Sequence, residues 1–410
     1  MPAFLDWLTT ASRDQKRALL AASLGWMLDS MDVMLYAFVL GPVQREMHLS
    51  SAASGAMMSA TLIAAAVGGL AFGVIADRWG RTRALTMSML LYSIATALCG
   101  FAHSATELAA FRVLVGLGMG GEWASGAALV AEVWPQQHRG KALAVVQSFW
   151  AVGYALGAGI VAVVLPHFGW RDVFFAGVTP ALVTLWIRRR VREPELFERE
   201  RVKRPPIGQI FRGSLGRSTL ICASMNAAAL FAWWGLFTWV PRFLSMPAAQ
   251  GGRGLGIVQT SGWTIVMQIG TFLGYLTFGY LADRFNRKYT YIAFLVIAAM
   301  LVPVFASVRN PAALLVIGPF VGFFGTGYFS GFVVIASELF PTHLRATAMG
   351  FVYNIGRVVS AAAPWMIGGV AEHAGISAAL GITSVAFGLA ALIATGLRPH
   401  SKLVPVQSSS

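Results

Sequence analysis

The chain has 410 residues, of which 57% are hydrophobic and 12% charged, with a mean hydropathy of +0.66 and a formal net charge of +14. A soluble protein of this length needs more charge than that to cover its surface, so the composition excludes a soluble globular domain. Cys99 and Cys222 both sit inside apolar runs and offer neither a disulfide framework nor metal-ligand spacing.

In chain order, the polar, basic segment Met1–Arg17 has no small-residue cleavage site, so the first apolar stretch reads as a retained span rather than a signal peptide. Segments of roughly 20 apolar residues, the length that crosses a bilayer, follow one another along the chain. Twelve are predicted, over 18–42, 53–76, 84–104, 108–131, 142–165, 172–188, 218–243, 256–282, 289–307, 311–337, 346–370 and 376–397. The polar stretch 189–217 divides them. Its Arg188–Arg190 and Arg201–Arg204 clusters flank the acidic run Glu193–Glu200, and such basic segments suit a helix on the membrane surface. The predicted organisation is an N-terminal bundle (1–188), a linker (189–217), a C-terminal bundle (218–397) and a tail (398–410). With both termini inside, only Arg45, Arg171, Arg242, Arg253 and Arg309 of the 31 lysines and arginines fall in outside loops, and Arg112 and Arg357 fall within spans. That asymmetry explains the basic balance by membrane orientation and removes the case for nucleic acid.

Two motifs occur twice. Gly73-Val-Ile-Ala-Asp77-Arg78-Trp-Gly-Arg81 recurs as Gly279-Tyr-Leu-Ala-Asp283-Arg284-Phe-Asn-Arg287, and Glu132-Val-Trp-Pro135 with Arg139 recurs as Glu338-Leu-Phe-Pro341 with Arg345. Both pairs are 206 residues apart, the mark of an internal duplication. Two similar membrane halves can expose one site alternately to either side, which reads as a transporter.

With its spans, central loop and repeated turns, the chain resembles the major facilitator superfamily; Asn286 stands where the second turn's pattern expects glycine. Gly25-Trp-Met-Leu-Asp29-Ser-Met-Asp32, Arg112-Val-Leu-Val-Gly116-Leu-Gly118-Met-Gly120-Gly121-Glu122-Trp123 and Arg192-Glu-Pro-Glu195 resemble segments of the sialate and metabolite:proton symporters. Ser30 and Met31 replace the middle of the commoner Asp-Gly-Phe-Asp arrangement there. The resemblance implies an all-α membrane protein of two pseudo-symmetric six-helix bundles, not an enzyme, with protons as coupling ion and no other cofactor. It also implies an organic anion as cargo: members carry sialic acid, lactate and other monocarboxylates, and neighbouring branches carry aromatic acids, dicarboxylates and betaines.

Ionisable groups inside the hydrocarbon need a partner or a function. Asp29 and Asp32 lie roughly 16 and 21 Å along the first span from Ala18, on one helix face. Two carboxylates in one low-dielectric cavity make a proton site; the alternatives are a permanent pair with a cation or a cap on a kink. On the fourth span Arg112 falls near the depth of Asp32, and Glu122 near that of Asp29. Three acids with one arginine carry excess negative charge unless a proton is held, which favours coupling over a static ion pair. On the eleventh span Arg357 lies roughly 18 Å from Arg345, again near the midplane. Its fork matches a carboxylate, either the substrate's or one of the N-terminal half. Asn354 and Tyr353 accompany it. Trp233 and Trp234 offer a flat wall for a ring, while Tyr36, Gln147, Asn226, Gln268 and Tyr328 are polar groups for which substrate is one hydrogen-bond partner among others. Trp150 and Trp170 read as packing.

Gly73, Asp77, Arg78, Arg81, Glu132, Arg139, Asp283, Arg284, Arg287, Glu338 and Arg345 form a cytoplasmic gate that the resemblance places at the ends clasped in the outward-open state. The glycine-rich Gly116–Gly121 lies in a membrane helix, not after the strand that a dinucleotide fold requires. The reading is uptake of a small organic anion, most simply a monocarboxylate, by proton symport in the cell membrane, by a chain that needs no partner subunit. A proton-coupled exporter of amphipathic drugs and a neutral sugar symporter share the fold and stay open.

Overall fold

The computed structural model describes residues 6–178, 181–183, 186–187 and 207–397, and these contain helices and no strand. Ten helices are long and apolar enough to cross a membrane. They are the first (Arg13–Glu46), second (Ser51–Trp79), third (Arg81–Gly100), fourth (Ala105–Val133), fifth (Gln136–Phe168), seventh (Gly213–Ser245), eighth (Ile257–Phe285), ninth (Arg287–Ser307), tenth (Pro311–Leu339) and twelfth (Ile376–Thr395). Their starts follow capping rules: Ser12 and Gln15 form a capping box, Ser50 and Ser104 accept from Ala53 and Glu107, and Asn310 precedes Pro311. Apolar side chains such as Val163, Leu220 and Val385 are at least 65% exposed, because in lipid an outward apolar face costs nothing.

The remaining two spans differ from expectation. The sixth is described as the helix Trp170–Ala176 with further helical residues at 181–183 and 186–187. The eleventh, expected as one rod over 346–370, is two helices, Thr342–Ser360 and Ala362–Ala374. Pro364 has no N–H for the Ser360 carbonyl and its ring crowds that oxygen, which breaks the helix there. Trp239 Nε1 donates to the Pro364 carbonyl at 3.0 Å. The seventh helix starts inside the stretch read as linker, behind a short 3-10 turn, Ile207–Phe211. Residues 189–206 and the tail 398–410 lie outside the described residues.

The 206-residue register extends from motif to backbone. Positive φ angles occur at His48 and Gly254 (51° and 65°), Gly80 and Asn286 (109° and 103°), and Gly169 and Gly375 (88° and 79°). Asn286 thus adopts the turn that glycine makes in the first copy, and its Oδ1 accepts from Lys288 N at 3.0 Å. Packing repeats as well. A methyl on Gly116 would sit 2.1 Å from the Thr61 carbonyl oxygen, and one on Gly322 2.4 Å from that of Met267. Gly68 against Leu117 (2.0 Å) returns as Gly274 against Phe323 (2.5 Å). In each half, two helices meet backbone to backbone at small residues.

The halves join along the second helix against the eleventh and the fifth against the eighth. At the end remote from the repeated Asp-Arg turns they are pressed together: methyls on Gly55 and Gly368 would lie 2.2 and 2.4 Å from the carbonyls of Pro364 and Ser51. Ala52 N also donates to Glu372 Oε1 at 2.7 Å. Toward the turns the same helices part, and Gly73 and Gly350 face open space.

Candidate functional site

Between the halves, near mid-length of the helices, lies a narrow cleft of about 30 Å³. Its wall is aromatic. Trp26 stacks obliquely on Trp150 (4.7 Å between centroids), which meets Trp233 and Trp234 edge-on at 5.6 and 6.1 Å. Tyr275, Phe329, Gln147, Tyr353 and Arg357 complete it, with Met119 and Leu230. Arg357 is 3% exposed and is the one cation in the wall. Its Nη1 donates to the Ala65 carbonyl across the interface at 3.3 Å and its Nη2 to the Tyr353 hydroxyl at 3.4 Å. These are long bonds, and no carboxylate among the described residues pairs with it within 4.0 Å.

Behind the cleft, inside the N-terminal half, Asp29, Asp32, Glu122 and Arg112 are all at most 1% exposed. None of the three acids makes an ion pair within 4.0 Å among the described residues; Asp29 Oδ2 and Glu122 Oε2 have no hydrogen-bond partner there, and Asp32 has only the Thr96 hydroxyl nearby. Small residues make room for them: a methyl on Gly25 would lie 2.4 Å from Glu122 Oε1, and one on Gly177 2.9 Å from Asp32 Oδ1. The charge of Arg357 reaches Asp29 and Glu122, while that of Arg112 reaches Asp29 and Asp32. Arg112 stacks over the Tyr36 ring at 4.8 Å and leaves Nε and Nη1 without an acceptor. Five charges therefore share one buried region without neutralising one another in contact.

The other expected ligand residues are placed apart from the cleft. Tyr36 donates to Ser54 O at 3.0 Å and Tyr328 to Ala229 O at 2.8 Å. Asn226 donates to Val352 O at 3.3 Å, and these three bonds each join two helices of one half. Asn354 donates to Gly350 O of its own helix and lies by Gly69 at the seam between the halves. Gln268 is buried with neither amide atom partnered. Trp26 and Trp150 were not among the expected ligand residues; the one available signal was that Trp26 shares a helix face with Asp29, three residues on.

At the repeated turns, Arg81 holds both Asp77 (2.5 Å) and Glu132 (2.9 Å) of its own half. The second copy is looser: Arg287 pairs with Asp283 at 3.4 Å, and Asp283 is 74% exposed. Arg284 lies over the Phe285 ring at 5.7 Å, Arg78 is exposed, and Arg139 Nε is buried without a partner. The side chains of Glu338 and Arg345 lie outside the described residues.

The sequence profile of the Major Facilitator Superfamily matches residues 22–257 and 246–409. The chain belongs to that superfamily. It is therefore a membrane transporter of the all-α, two-bundle fold, not an enzyme, in a family that works without a cofactor; no group of three or more metal-ligating side chains occurs among the described residues. It is 30% identical over 376 residues to the niacin transporter NiaP of Acinetobacter baylyi, covering 84% of each chain. It is 28% identical over 401 residues to the sialic acid transporter NanX of Escherichia coli, covering 97% of each. Among solved structures, a bacterial homologue of the human lysosomal transporter Spinster, inward-facing and occupied, aligns with a TM-score of 0.75 at 18% identity, over 94% of this chain and 97% of that one.

Proposed function

We propose that this transporter imports a small monocarboxylate with a flat or apolar body across the cytoplasmic membrane, by proton symport and alternating access. The end bearing Asp77, Arg81 and Arg287 faces the cytoplasm, as do both termini, and the chain works as a monomer. The observation that carries the reading is Arg357: a buried guanidinium in an aromatic wall, with no carboxylate in contact among the described residues. An unpaired buried cation is costly, and a carboxylate ligand supplies what it lacks. The names of the relatives, niacin and sialic acid transporters, fit that chemistry, since both cargoes are carboxylates.

Charge balance supplies the coupling. Asp29, Asp32 and Glu122 against Arg112 and Arg357 leave one excess negative charge, which one proton cancels. An incoming carboxylate adds another, so uptake of anion and proton together keeps the buried region near neutral while the halves move. In the form described here, the outer ends are together and the inner ends apart, so proton and anion leave to the cytoplasm. The Asp77–Arg81–Glu132 cluster then serves as half of an inner latch that closes when the outer ends separate.

The test is proton entry into proteoliposomes that contain a pH dye, with nicotinate, benzoate and N-acetylneuraminate set against nicotinamide, glucose and tetraphenylphosphonium. Acidification by one carboxylate class alone is expected. No proton movement with any carboxylate, together with alkalinisation when the cation is added, would overturn the reading in favour of proton-coupled export.

A further inference from the structure

At the closed end, outer in the orientation proposed above, a second cavity of about 430 Å³ lies between the halves. Phe38, Pro42, Leu165, Pro166, Trp170 and Ile257 wall it, and two arginines enter it from opposite halves: Arg45 at the end of the first helix and Arg242 near the end of the seventh. Their Nη1 atoms lie 3.7 and 2.9 Å from the point where a methyl on Gly41 would sit. Two like charges thus converge on one spot. Neither guanidinium donates to an acceptor among the described residues, and Arg242 Nε is buried without a partner.

Two of the other three outer arginines are held by the protein, and the third, Arg309, is exposed. Arg171 is held by Glu46 and by the Ala102 carbonyl (3.0 Å). Arg253 is held by the carbonyls of Gly251, Gly252 and Val308 at 3.0, 2.8 and 2.5 Å. Glu46, the acid next to Arg45, is already engaged by Arg171 and by Trp170 Nε1 at 2.5 Å. Basic residues on the outer side run against the topology signal, so Arg45 and Arg242 serve neither orientation nor a hydrogen bond or ion pair among the described residues. Two forked donors over apolar walls are the donor set for a carboxylate with an apolar body.

We propose that this outer cleft binds a small carboxylate that bridges Arg45 and Arg242. The inference rests on the orientation proposed above but not on proton coupling or on Arg357. Because the two arginines belong to different halves, their bare charges oppose closing of the outer ends, and a bridging anion removes that opposition.

The test places a single reporter in the cleft, Ser245→Cys; the native Cys99 and Cys222 are fully buried. In intact cells, with each rate divided by that reagent's rate with a free thiol in solution, negatively charged 2-sulfonatoethyl methanethiosulfonate should label it about tenfold faster than the trimethylammonium analogue, as local field focusing implies. Millimolar nicotinate or benzoate should slow labelling and nicotinamide should not. Both effects should vanish with R45Q and R242Q, yet persist with R357A, which separates this cleft from the central one. Equal normalised rates for the two reagents, or equal protection by nicotinamide, would overturn the proposal. In purified protein, the same protection in phosphatidylcholine vesicles with and without phosphatidylglycerol supports a dissolved carboxylate. Protection by phosphatidylglycerol alone means a lipid headgroup site and overturns it. Ile257→Cys is the second reporter should Ser245→Cys not fold. Labelling requires no transport, so intact protection with no proton uptake would sink the function proposed above and leave this site standing.

Discussion

The two halves share a frame and differ in chemistry. Across the 206-residue register, three positive-φ turns and two close helix contacts recur at matching positions. The ionisable residues do not: Asp29, Asp32, Arg112 and Glu122 correspond to Gly235, Thr238, Gly318 and Tyr328, and Arg357 corresponds to Ala151. Duplication accounts for the scaffold, while the buried charges belong to one copy each. The acids and Arg112 lie on the N-terminal side, and Arg357, whose charge reaches Asp29 and Glu122, lies on the C-terminal side.

The largest effect should come from breaking the C-terminal side of that division. R357A removes the one cation of the aromatic wall, and we expect uptake of the transported carboxylate to fall by about 100-fold, or about 2.8 kcal/mol. Unchanged uptake by this variant would remove Arg357 as the anchor. On the N-terminal side, D32N should abolish accumulation driven by a pH gradient while sparing exchange of labelled for unlabelled substrate, because exchange needs no net proton movement. D29N and E122Q, measured alongside, identify which acid of the cluster carries the proton; accumulation with unaltered pH dependence in all three would end the coupling role.

The shared frame has its own tests. G116A and G322A each force a methyl onto a facing carbonyl, so both should lose about 1–3 kcal/mol of stability, read as a lower thermal midpoint in detergent. A cost in one copy only would mean that the two contacts are not equivalent. The smallest effect is at the turns. N286G should stabilise by about 1 kcal/mol and G80N should cost a similar amount, since only glycine adopts this backbone without strain.

The duplication, and the gathering of the buried charges at one level of the bundle, were legible in the sequence because motif spacing and the helical rise fix them. Rotation about each helix axis was not. Trp150 read as packing and Tyr36 as a polar group with substrate as one partner among others; Trp150 lines the cleft and Tyr36 closes onto Ser54 in its own half. In a chain where nearly every face is apolar, no hydrophobic stripe marks the inward side, and the neighbouring helices decide it. The break before Pro364 was visible as a proline, but whether a membrane helix bends or ends there depends on what receives the freed carbonyls. Ser360 Oγ and the indole of Trp239 each bond to a carbonyl at this joint, and the latter is supplied by a different helix.

That break sets a lever ratio. The segment beyond it, Ala362–Ala374, is clamped to the second helix through Gly55 and Gly368, so it is a fixed mount. Arg357 sits four residues inward of Ala361 and Gly350 eleven, roughly 6 and 16 Å from the pivot. A swing of roughly 20° about the joint moves the tip at Gly350 by roughly 6 Å but the guanidinium's own backbone by only roughly 2 Å. The end at the repeated turns can therefore open wide while Arg357 barely moves, much as a door edge sweeps far while the wood beside the hinge stays put.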